Sequence, residues 1–166
     1  MARWVVVELA VAAAPGRAGK PMRTREFLSK LEHDRILKAI RDAEAKTSGE
    51  IRVFIQRGKL NIDPLIAAQK KFQRLGMHQT PERNAILIFV APRAHKFAVV
   101  GDQAIHEKCR DEFWQHIVEG MRKHFQNENF NDALVEAIKE IGKLLAAHFP
   151  KTPGNANEVP DEIVEQ

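Results

Sequence analysis

The feature that most restricts how this chain can fold is the stretch 84–91, Asn-Ala-Ile-Leu-Ile-Phe-Val-Ala, in which Ala85 to Ala91 run without a polar interruption. A strand with one wet face alternates apolar and polar side chains, whereas a strand covered on both faces does not. The run is too short to cross a bilayer and shorter than an ordinary helix, so it reads as the central strand of a sheet with helices on both sides. The rest of the chain must then supply neighbouring strands and two covering layers.

The flanking segments supply them. Upstream, Ile51, Val53 and Ile55 alternate with Arg52, Phe54 and Gln56, which predicts a strand over 50–56. Between it and the central run, Asp63 precedes Pro64, a capping side chain before a proline at the first helical position, and an apolar face continues to Gly76. Strand, helix and strand make a βαβ unit, whose crossover is right-handed and whose strands are parallel. Downstream, Pro92 to His95 turn the chain into Lys96 to Val100, giving an antiparallel hairpin. Ser29 and Glu32 have capping-box spacing and predict a helix over 28–47. Asp102 caps a short helix, and Asp111 opens a longer one with Phe113, Ile117, Met121 and Phe125 on one face. Asn129 opens the last helix, where Leu134, Ile138, Ile141, Leu145 and His148 share a face up to Pro150. The expected class is α/β: a three-layer α/β/α sandwich with a small mixed sheet, built from a βαβ unit plus an antiparallel hairpin, and flanking helices.

The domain is expected over 24–149. Apolar residues make up 44% and charged residues 29% of the 166, a globular balance. Residues 1–23 are expected to be an N-terminal extension, disordered or an upstream-start artefact, and 150–166, rich in Pro, Gly, Asn and acids, a disordered acidic tail. The apolar stretch from Trp4 to Ala14 echoes a secretory signal, but Glu8 interrupts it and only Arg3 precedes it. Cys109 is the only cysteine, which excludes an intrachain disulfide and any cysteine-rich zinc or iron-sulfur site within one chain. A cytoplasmic protein is the expectation, with export as the alternative if 1–21 act as a signal. The net charge of +4 is spread along the chain, so no nucleic-acid partner is expected, and no stretch is long enough for an integral membrane segment.

With the order of elements, certain residues carry a resemblance: Thr47-Ser48-Gly49-Glu50-Ile51 after the first helix, Phe72 to Gly76 ending the second, Arg83 to Pro92 over the central strand, Val100-Gly101, and Phe130 to Ile138. Together they resemble the TPM domain of photosystem-repair, bacterial membrane and receptor-modulating proteins. The resemblance implies a three-layer α/β/α fold and, in some members, divalent-cation binding and acid phosphatase activity. After Val100-Gly101 the family often continues Tyr-Gly-Leu-Glu, whereas this chain has Asp102-Gln103-Ala104-Ile105. The chain thus resembles a short, stand-alone member.

The topology points to one place for chemistry. Two parallel strands start where the antiparallel third ends, so Glu50, Asn84 and Asp102 are expected to converge, and Asp111 to join them across a short turn. Three carboxylates and an amide oxygen suit a hard cation, calcium or magnesium. The same residues also have ordinary roles, as a strand start, a turn residue and two helix caps. No Asp-x-Asp-x-Thr, cysteine-arginine phosphate loop or glycine-rich phosphate loop is present, and Ser29 and Ser48, the only serines, lack a strand-to-helix elbow. His106 and Cys109, three apart, and His116 and His124, eight apart, are weaker pairs. Lys70, Lys71 and Arg74, with Arg93, His95 and Lys96, form basic groups that read as solvated surface. Two functions follow as expectations: an interaction or regulatory module with a protein partner and divalent-cation binding at the sheet edge, or a low-activity metal-assisted acid phosphatase.

Overall fold

The computed structural model describes residues 5–10, 28–151 and 163–166, the first of these for the backbone only. Ten elements follow in chain order. They are β1 (Val5–Ala10), α1 (His33–Glu44), β2 (Glu50–Ile55), α2 (Pro64–Arg74), β3 (Ala85–Ala91), β4 (Lys96–Gly101), α3 (Gln103–Lys108), α4 (Asp111–Gln126), α5 (Phe130–His148) and β5 (Ile163–Glu165). The five strands form one mixed sheet in the order β1-β4-β3-β2-β5. β2 and β3 are parallel, with Glu50 opposite Ala85 and Ile55 opposite Val90. β3 and β4 are antiparallel, with Ile86 opposite Gly101.

The alternation of the strands divides the core in two. Ile51, Val53 and Ile55 of β2, Ile86, Ile88 and Val90 of β3, and Phe97 and Val99 of β4 face α1, α4 and α5. Phe54, Leu87, Phe89, Ala98 and Val100 face α2 through Ala68 and Phe72, with Met77 of the following 3-10 turn. All seven residues of β3 are buried, which explains its unbroken apolar sequence. Each large side chain sealed in this way contributes about 1.5–3 kcal/mol relative to an exposed one. The α/β/α sandwich is therefore the fold, with α2 on one face and α1, α3, α4 and α5 on the other.

Local chemistry fixes several boundaries. Asp63 accepts hydrogen bonds from the amides of Leu65 (2.9 Å) and Ile66 (3.4 Å) ahead of Pro64, and Gly76 ends the α2 region at φ 69°, in the left-handed region that favours glycine. The 28–47 helix is shorter than its spacing predicts: residues 28–30 are helical, Leu31 and Glu32 break the run, and α1 starts at His33. The break has a tertiary cause. Asn131 of α5 accepts from the Glu32 amide at 2.7 Å and donates to the Lys30 carbonyl at 2.9 Å, replacing the bonds that a continuous helix would use. His148, expected on the apolar stripe of α5, is exposed, and Phe149 is buried in its stead.

Both expected extensions contribute to the sheet. Val5–Ala10 pairs antiparallel with β4, from Val5 opposite Gly101 to Ala10 opposite Lys96. The acidic tail, expected to be disordered over 150–166, instead ends in β5, parallel to β2 with Val53 opposite Ile163 and Ile55 opposite Glu165. β-branched residues suit both strands, and the pairing partners lie far away in sequence. The remaining parts of those two expectations, residues 11–23 and 152–162, lie outside the described residues.

Candidate functional site

At one edge of the sheet the starts of β2 and β3 meet the end of β4. The register places Glu50 beside Ala85, and the Asp102 amide donates to the Ala85 carbonyl at 2.9 Å. The backbones of Glu50, Asn84 and Asp102 are thus brought to the same edge. Glu50 (3% exposed), Asn84 (1%) and Asp102 (0%) are buried there. Asp111 differs from them in burial: it follows α3 and is exposed in the first turn of α4.

The loop before β3 closes over this edge. Arg83 has φ 52°, a left-handed conformation that is costly for a residue with a side chain. Its guanidinium grips both oxygens of Asp102, Nε to Oδ2 at 2.8 Å and an Nη to Oδ1 at 2.9 Å. Its carbonyl accepts from the Ala104 amide at 3.0 Å, while Asp102 accepts from the Gln103 amide at 2.8 Å. The loop thereby satisfies the first amides of α3 as well as its capping carboxylate. The hydrogen bond to Asp102 raises the Arg83 pKa above its usual value against the opposing effect of burial. On the other side, Asn84 donates from its side-chain amide to Ser48 Oγ at 3.1 Å, and Ser48 donates to Glu82 at 3.0 Å. The Asn84 amide donates to Thr80 Oγ1 at 3.4 Å.

The fit to a divalent cation follows from these bonds. A calcium or magnesium site needs several oxygens turned to a common point, but both Asp102 oxygens face a guanidinium. Among the described residues, no group of three or more His, Cys, Asp or Glu gathers as ligands would. The edge is therefore a cross-braced polar lock, not a ready oxygen cage. The sequence lacked any marker for the Arg83 clamp, because a salt bridge across 19 residues has no local pattern.

The weaker candidates are placed as follows. Cys109 follows α3, half-buried against the core, and burial pushes its thiol up to about 11, so it is protonated at neutral pH and a poor nucleophile. His116 is exposed, and His124 pairs with Glu136 at 2.8 Å, so the two do not act together. Lys71 lies 4.4 Å above the Phe54 ring, and Arg93 is exposed at the β3–β4 turn. Among the described residues, no helix is long and apolar enough to cross a membrane.

A second polar cluster lies along β2, at the side edge of the sheet. Glu165 of β5 meets His33 Nε2 at 2.7 Å and an Arg57 Nη at 2.9 Å. Burial pushes its carboxyl up, but the hydrogen bonds and charges of His33 and Arg57 outweigh that and hold it below the usual value. Sequence reading missed this cluster because Ile163 and Val164 give only two apolar residues in an acidic stretch.

Comparison with known proteins agrees with this architecture. The family model described as the TPM domain matches residues 22–144. The NMR structure of the BA42 protein from the psychrophilic bacterium Bizionia argentinensis is similar, with 34% sequence identity and a TM-score of 0.76. The match covers 83% of this chain and 99% of that one. No curated protein matches the sequence.

Proposed function

Because the chain belongs to the TPM domain family, we propose that it is an interaction or regulatory module whose partner is another protein. The observation that carries this reading is the Arg83–Asp102 clamp, which engages both oxygens of the carboxylate nearest the centre of the sheet edge. Ser48 is tied to Glu82 and Asn84, and Cys109 is held protonated. These side chains brace the fold, which supports surface recognition as the way it acts. A lone cysteine fits a reducing compartment, with the cytoplasm as its setting.

Divalent-cation binding by Glu50, Asn84, Asp102 and Asp111 would require Arg83 to release Asp102, with Asp111 brought in from α4. The test is calorimetric titration with calcium, magnesium and manganese, together with turnover of a generic aryl phosphate. The expectation is no metal-dependent turnover that distinguishes the unaltered chain from Asp102→Ala and Asp111→Ala. Robust metal-dependent turnover, lost in both variants, would replace this reading with that of a metal-assisted phosphomonoesterase.

A further inference from the structure

The side edge of the sheet at β2 is built to receive a strand. Gln56 donates its amide inward to the Val90 carbonyl at 2.8 Å, and Arg57 donates outward to the Gln166 carbonyl at 2.7 Å. The outward amides of β2 are therefore the odd-numbered ones. Ile51 is one of them, and Glu44 Oε1 at the end of α1 takes its amide at 2.7 Å. A buried side chain thus ends the open edge at Ile51 and blocks pairing further along it. From Val53 to Arg57 the edge accepts main chain.

The segment 163–166 occupies that stretch in the parallel sense. Ile163 packs into the core on the α1 side, and Val164 into the core on the α2 side. Glu165 returns to the first side, between His33 and Arg57, and Gln166 meets Lys71 Nζ at 3.3 Å on the second. The Gln166 amide donates to the Ile55 carbonyl at 3.3 Å. The edge therefore reads two apolar side chains on opposite faces, then a carboxylate between a histidine and an arginine.

The occupant is joined to the body beside the start of β2. Lys151 donates its amide to the Lys46 carbonyl at 3.3 Å, and Pro150 bridges to Thr47 beside the start of β2. From residue 151 to residue 163 the chain can reach up to ~40 Å, against ~20 Å for the β2 path from Thr47 to Val53. Glu165 is 22% exposed, and its partners His33 and Arg57 are 43% and 58% exposed, so solvent screens both pairs. The resident strand is three residues long and its ion pairs are in contact with water.

We propose that the β2 edge from Val53 to Arg57 is a docking groove for an extended segment of a partner protein, of the pattern apolar, apolar, acidic, with 163–166 as its resident competitor. The proposal rests on the interaction-module reading and names its surface. The test uses the full chain and a fluorescent peptide with the sequence of residues 161–166, read by anisotropy and by amide shifts at Ile55 and Arg57. Glu165→Arg sets a cation against His33 and Arg57 and loosens the resident strand, and Val164→Asp loosens it from the other face. Both variants are expected to bind the peptide at least tenfold more tightly than the unaltered chain. A peptide with lysine in place of the penultimate glutamate is expected to bind at least tenfold more weakly. Equal binding by all three chains, or indifference to the lysine, would overturn the groove. Exchange of 163–166 between two copies of the unaltered chain would assign the edge to self-association and overturn the foreign partner. Either failure leaves the interaction-module reading standing, whereas metal-dependent phosphate turnover removes that reading without moving the peptide result.

Discussion

Asp102 and Glu165 are both carboxylates gripped by an arginine at nearly the same distance, 2.8 Å and 2.9 Å, yet they play opposite parts. Asp102 is sealed at 0% exposure, with its amide in the sheet and its side chain capping a helix. Glu165 remains 22% exposed at the end of a three-residue strand. The contact geometry is alike, and the surroundings differ. A buried charge that loses its partner has no water to turn to, so its bond is fixed, whereas a wet charge can exchange partners at little cost.

The sharpest way to break this comparison is Arg83→Ala. It leaves the Asp102 carboxylate buried without its cation, while the Arg83 carbonyl bond to Ala104 stays in place. A loss of about 3 kcal/mol in urea unfolding is expected, at the low end for a buried pair because the Arg83 side chain is 36% exposed. A loss below about 0.5 kcal/mol would show that burial does not separate the two carboxylates.

Gly142→Ala sets the scale for a packing change that touches neither pair. A Cβ at Gly142 would lie 2.7 Å from the Ala43 Cβ, where α5 crosses α1, and both are held by the sheet behind them. The expected cost is about 2 kcal/mol, from forcing two packed helices apart. Recovery of stability on pairing it with Ala43→Gly would confirm the clash.

Glu165→Gln is expected to cost at most about 1 kcal/mol in global stability, while amide exchange at Arg57 speeds up markedly. Acid should act in the same direction. The Glu165 carboxyl is depressed in the docked state, so the docked segment binds a proton less readily than the released one. Docking is therefore at full strength above about pH 4.3, the ordinary glutamate value, and fades as pH falls through the lower docked-state value. Monitoring the Ile55 and Arg57 amides from pH 6 to pH 3 checks this, with His33, Arg57 and Lys71 as the charged groups around the segment. Amide shifts at Arg57 that do not change over that range would exclude the carboxylate as the latch.

Much of the sandwich could be read from residues that act on their neighbours. The apolar run of β3 declared two covered faces, Asp63 and Pro64 declared the start of α2, and the alternation of Ile51, Val53 and Ile55 declared β2. The convergence of Glu50, Asn84 and Asp102 at one edge was legible too, because it follows from strand directions. What those residues do there was not. Their types permit a cation site or a set of caps, and Arg83, which grips Asp102, is an ordinary basic residue in the sequence.

By itself, then, the sequence determined the layers, the strand senses and the capping residues, since periodicity and capping depend on chemistry within a few positions. The tertiary structure alone decided that Asn131 breaks the first helix, that Glu44 closes the β2 edge, and that residues 163–166 complete the sheet. Those contacts join residues that only the folded backbone brings together, and the worth of a charge pair depends on how much water the fold leaves around it.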